Sequence, residues 1–113
     1  MSREWTFHLT DMLTCCDRIS RYASGLTRKS FETNEMAYDA IIRNIQLLGE
    51  AARHIPDETK RTAPDIEWRS VIAVRNILVH GYFSIDNDIV WDIIQNKIPP
   101  MCKSLAVLKS KIM

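Results

Sequence analysis

Apolar residues recur along this chain at steps of three and four, and nowhere do they alternate. Trp5, Leu9, Met12, Cys16, Ile19 and Ala23 make one stripe, which predicts an amphipathic helix from about residue 3 to 24, stopped by Gly25. Ile41, Ile45, Leu48, Ala52 and Ile55 make a second, on a helix that begins near Thr33 or Asn34, both good N-caps, and ends before Pro56. A third helix is expected from an N-cap at Asp65 through Trp68, a packing anchor, and Val71 and Ile72 into the segment Val74 to Tyr82. Ser84 or Asp86 can cap a fourth with Ile89, Val90, Ile93 and Ile94. Pro99-Pro100 is expected to break or kink it, because a residue before proline avoids helical angles. A last short helix then carries Met101, Leu105, Leu108 and Ile112, with Lys103, Lys109 and Lys111 on its solvated side. Arg28-Lys29-Ser30 reads as a short basic loop and the Pro56 to Pro64 stretch as a charged connection.

This pattern predicts an all-α protein, an up-and-down bundle of four or five helices around one core, with the third helix central and a single domain over residues 1–113. A helical chain of this size often completes its core by pairing, so dimerisation is expected. Gly49 lies inside the second helix, where it costs about 1 kcal/mol relative to alanine. Its presence predicts close approach by another helix, with the third as the candidate.

Composition narrows the class. An apolar content of 46% with 26% charged residues describes an ordinary folded domain. The net charge of +1 excludes the strong overall basic field of a non-specific nucleic-acid binder, so any RNA contact must be local. Cys15, Cys16 and Cys102 have no metal-ligand spacing and read as reduced thiols of a cytoplasmic protein. No apolar run is long enough to span a bilayer, and a start carrying Arg3, Glu4 and Asp11 does not read as a signal peptide. Cys16 sits within an apolar stripe and reads as a buried small residue, not a nucleophile. Glu50 and His54, four apart, could share a metal or form a surface ion pair; the second is simpler, because no second Glu-x-x-His segment completes a metal-binding bundle site.

The candidate chemistry concentrates in Val74-Arg75-Asn76-Ile77-Leu78-Val79-His80-Gly81-Tyr82, an apolar helical run interrupted by polar side chains that a plain core helix does not need. A helix advances about 100° per residue, so Asn76 and His80 fall about 40° apart on one face, whereas Arg75 and His80 are roughly 140° apart. Convergence of Arg75 and His80 on one small group requires that the helix end at His80, which Gly81 favours, or that a second copy contribute. Taken singly, His80 is a solvated cation at a helix end, Arg75 a surface charge, Asn76 a cap and Tyr82 an amphipathic packing residue. Their clustering points instead to acid-base chemistry, for which histidine is the side chain best poised near neutral pH.

Arg75, four residues, His80, one residue and Tyr82 form R-x-x-x-x-H-x-Y, which resembles the signature of the HepT-like branch of the HEPN superfamily. Leu47-Leu48-Gly49-Glu50-Ala51-Ala52 resembles that family's Gly-Glu-Ala segment; Trp68 before the motif, and Ser84-Ile85-Asp86, Val90-Trp91 and Ile98-Pro99 after it, extend the likeness to about two-thirds of the chain. The resemblance implies a HEPN-like helical homodimer with the two motif segments facing across a cleft. It implies a metal-independent ribonuclease without a cofactor, in which Arg75 and His80 are catalytic and Asn76 supports them. It further implies a toxin whose partner, a nucleotidyltransferase antitoxin, adenylylates Tyr82. An alternative from a different class is a non-catalytic helical partner subunit that presents nucleotides or substrates to a nucleotidyltransferase.

Overall fold

The computed structural model describes residues 4–80 and 85–112, apart from the side chains of residues 76–80. Among these residues there are helices and turns and no strand, which makes the fold all-α and a HEPN-like helical bundle. The first stripe becomes α1 (Trp5–Ala23), which buries Leu9, Met12, Cys16 and Ile19 together with Cys15 and Ala23. Each fully buried aliphatic side chain of this size contributes roughly 1.5–3 kcal/mol. Gly25, at φ +81°, takes the left-handed conformation that ends the helix. The second stripe becomes α3 (Glu35–Ala52), started by Asn34, whose side chain accepts from Ala37 N at 3.1 Å. Its buried Asn44 donates to Ala40 O at 2.8 Å, and its Oδ1 has no partner among the described residues.

Two stretches read as loops are helical. Arg28-Lys29-Ser30 opens α2 (Arg28–Thr33): Thr27 Oγ1 accepts from Ser30 N at 3.1 Å while Ser30 Oγ accepts from Thr27 N at 2.8 Å. This reciprocal pair caps the helix as a Ser/Thr with Glu/Gln would, and Phe31 anchors α2 in the core. The Pro56 to Pro64 connection contains α4 (Asp57–Arg61), with Asp57 and Glu58 at its start and Lys60 and Arg61 at its end, the charge order that suits the helix dipole.

The helix carrying the motif is α5 (Trp68–His80), which starts three residues after Asp65. Asp65 is therefore not its cap; its carboxylate accepts from Ser104 Oγ and ties the connection to the last helix. Trp68 is the expected anchor, with its ring buried, Nε1 donating to Ala63 O at 3.1 Å and Lys60 lying 5.9 Å from the ring centroid. Asp86 caps α6 (Asn87–Asp92) by accepting from Asp88 N and Ile89 N; Ser84, the other candidate cap, lies outside the described residues.

Pro99-Pro100 does not break the chain's last helical stretch. α6 passes into a π-helical turn (Ile93–Lys97) and then into α7 (Ile98–Ile112), which holds both prolines in its first turn. In a continuous α-helix the rings of Pro99 and Pro100 would meet the carbonyls of Gln95 and Asn96. The π turn, in which Ile98 N donates to Ile93 O five residues back, inserts the extra residue that moves those carbonyls aside.

Helix α1 packs on α3 and α7, and α5 packs on α3. Among the described residues the central element is thus α3, which packs on both α1 and α5, and not the motif helix that the sequence led one to expect.

Candidate active site

Gly49 makes the site possible. A Cβ added there would lie 2.4 Å from Arg75 Cβ and 2.8 Å from Val71 O, so only glycine lets α5 approach α3 this closely. The approach expected from sequence is therefore to the motif helix, at Arg75 itself.

One residue on, Glu50 Oε2 forms an ion pair with Arg75 Nε at 3.0 Å. The Arg75 side chain is three-quarters buried, with 25% exposure, so its guanidinium is held against α3 and is not a loose surface charge. Glu50 also pairs with Arg53 Nη1 at 3.3 Å, and its Oε1 is 3.9 Å from His54 Nε2. The Glu50–His54 pair expected from sequence is thus the weakest of three contacts. Sequence reasoning missed Glu50 as the partner of Arg75, although Gly49 beside it marked the place of close approach. Among the described residues, no three His, Cys, Asp or Glu side chains are grouped so as to hold a metal ion.

His54 in turn stacks on His8 of α1, with ring centroids 4.1 Å apart and planes 13° from parallel. These rings border a groove of about 320 Å³ between α1 and α3, whose wall includes Glu50. A second, more apolar groove of about 270 Å³ lies beside α5, lined by Ile45, Leu48, Val71, Val74, Ile93 and Met101 with the charged Glu67, Asp92 and Lys97, and with Ile89 well exposed.

Of the residues predicted for the site, Arg75 is seen in full. The backbone carries α5 through positions 76 and 80; the helix stop expected at Gly81 lies outside the described residues. The side chains of Asn76 and His80, and the whole of Tyr82, lie outside the described residues. Beyond the motif, Tyr38 donates to Asn87 Oδ1 at 2.6 Å and Arg28 Nε donates to Asp88 Oδ1 at 2.8 Å, which ties the start of α6 to α2 and α3. Burial, with Asp39 and Glu32 nearby, pushes the Tyr38 hydroxyl pKa upward, so it remains a donor.

Away from the site, Cys16 and Cys102 form a thiol pair between α1 and α7. A hydrogen bond from Cys16, and a further one from Ser20, hold the Cys102 thiol down at about 7; the same bond and burial push Cys16 upward. All three cysteines are free.

The family model described as ribonuclease HepT-like matches residues 12–108. The chain is 29% identical over 101 residues to the probable ribonuclease HepT of Thermococcus cleftensis, covering 89% of this chain and 92% of that protein. A candidate RNase of Methanocaldococcus jannaschii is 29% identical over 100 residues, 88% of this chain and 92% of that protein. A second from the same organism is 30% identical over 97 residues, 86% and 80% of the two chains. No solved structure gives a significant match.

Proposed function

Because the chain belongs to the ribonuclease HepT-like family, we propose that it is a metal-independent endoribonuclease acting as the toxin of a toxin-antitoxin pair. The observation that carries this reading is the clamp on Arg75, which Glu50 holds through Nε in a largely buried setting on the helix that also carries position 80. A guanidinium so fixed suits a phosphate ligand, since its planar fork matches phosphate oxygens.

In this reading Arg75 binds the scissile phosphodiester and stabilises charge on the pentacoordinate phosphorus. His80 takes the proton from the ribose 2′-hydroxyl as that oxygen attacks phosphorus, or gives a proton to the departing 5′-oxygen. Asn76 orients the imidazole or bonds a phosphate oxygen. Along one α5, positions 75 and 80 diverge, and a homodimer resolves this by pairing an Arg75 with the partner copy's histidine across a two-fold axis.

Tyr82 follows His80 by two positions. Its adenylylation by a nucleotidyltransferase antitoxin would place bulk and negative charge where the RNA backbone must lie, which would silence the enzyme.

The deciding experiment is incubation of the purified protein with labelled single-stranded RNA in EDTA. Cleavage by wild type and its loss in a folded His80→Ala variant are expected; undiminished cleavage by that variant refutes the role of His80. No cleavage with or without metal favours a non-cutting partner subunit. Mass spectrometry after co-expression with the antitoxin should find AMP on Tyr82, and an inactivated complex with unmodified Tyr82 refutes that mode of silencing.

A further inference from the structure

We propose that the groove between α1 and α3 is a nucleobase subsite, which takes a base of single-stranded RNA next to the phosphodiester held by Arg75. This inference rests on the ribonuclease reading and adds a second point of contact to it. The groove joins that site through one residue, because Glu50 forms part of its wall and also binds Arg75 Nε at 3.0 Å.

The groove has the parts that base recognition uses. At one end the imidazoles of His8 and His54 form a flat pair, stacked at 4.1 Å and only half-buried, and unpaired bases stack on such rings. Leu47, Ala51 and Cys15 supply an apolar lining. At the other end is exposed Arg18, ten residues from His8 along α1, or about 15 Å of helix, placed to meet a phosphate. The volume of about 320 Å³ lies at the lower end of the range for small-ligand pockets.

The polar rim beside the histidines favours some bases over others. Asp11 and Glu50 accept hydrogen bonds and donate none, and Thr14 spends its proton on Thr10 O at 3.1 Å, which leaves its oxygen to accept. A rim of acceptors selects a base with an exocyclic amino group, so cytosine, adenine or guanine is preferred over uracil. Arg53 and Arg75 offset the charge of Glu50, so that it does not repel the RNA backbone.

The test uses the full chain, short single-stranded RNAs, and the matching 2′-deoxy oligonucleotides as probes that cannot be cleaved through a 2′-hydroxyl. His54→Ala should raise KM for RNA and Kd for the 2′-deoxy probe about tenfold, the scale of one lost base stack, with kcat within about twofold. His54→Phe, which keeps a flat ring, should restore most of the affinity. Cytosine oligomers should bind wild type more tightly than uracil oligomers, and Asp11→Ala should narrow that gap. If His54→Ala binds and cuts as wild type does while His80→Ala is inactive, the groove is not a subsite and the nuclease reading stands. If wild type neither cuts RNA nor binds the probe, the nuclease reading fails and the subsite with it. Equal affinity for cytosine and uracil overturns the assignment of the rim.

Discussion

Replacing Gly49 by alanine sets two known effects against each other at one position. In an isolated helix the change is favourable by about 1 kcal/mol, because glycine has more backbone freedom to lose. In this bundle the new methyl would lie 2.4 Å from Arg75 Cβ, 2.8 Å from Val71 O and 3.3 Å from Arg75 Cγ. Carbon atoms in contact sit at about 3.5–4.0 Å, so α5 must withdraw by about 1 Å. Two of those neighbours, Arg75 Cβ and Val71 O, are fixed to the α5 backbone and cannot swing aside as a side-chain tip would. Overpacking of this kind costs roughly 1–3 kcal/mol, so Gly49→Ala should lower stability by about 1 kcal/mol net, a fall in Tm of several degrees.

The functional cost should exceed the structural one. A shift of about 1 Å in α5 moves Arg75 relative to Glu50, and misplacement on that scale can cost about a hundredfold in rate. Urea denaturation and RNA cleavage by the same preparation test both claims. Gly25→Ala is the control: nothing lies within 4 Å of the added Cβ, but φ is +81°, so stability should fall by about 1 kcal/mol while cleavage per folded molecule is unchanged. A Gly49→Ala protein at least as stable as wild type, with full cleavage, would refute the argument that α3 and α5 are held at their spacing by the absence of that methyl.

Three further outcomes follow from particular contacts. Glu50→Ala should reduce kcat for RNA cleavage about tenfold or more with a loss of stability on the order of 1 kcal/mol, whereas Glu50→Gln, which keeps an acceptor for Arg75 Nε, should recover most of the activity; steady-state kinetics with denaturation curves check both. Cys102, with its pKa at about 7, should be alkylated by iodoacetamide with a midpoint near neutral pH, well before Cys15 and Cys16, whose pKa values are raised; Cys16→Ala removes the donor and should move the Cys102 midpoint upward, as read by mass spectrometry across a pH series. Asp86→Ala deletes the acceptor for Asp88 N and Ile89 N and should cost about 1 kcal/mol in a urea titration.

The long helices were legible because three-and-four spacing depends only on local backbone geometry, and the caps at Asn34 and Asp86 act within a few residues. Helices α2 and α4 were not, since five or six residues are too few to display a period, although the Thr27 and Ser30 pair was a signal that could have been read. Of the break or kink expected at prolines 99 and 100 the break does not occur, because the rule against proline assumes α-helical carbonyl positions, and the π turn before them changes those positions. The partner of Arg75 was hidden for another reason. Glu50 lies 25 positions earlier, on another helix, and its own neighbours Arg53 and His54 already offered it a sufficient local account. What joins Glu50 to Arg75 is the missing side chain next door: α3 gives up helix propensity at Gly49, α5 closes onto the vacated face, and the adjacent carboxylate comes within 3.0 Å of the guanidinium. A glycine that weakens its own helix and a carboxylate that fixes an arginine are therefore one device, and neither residue accounts for the site alone.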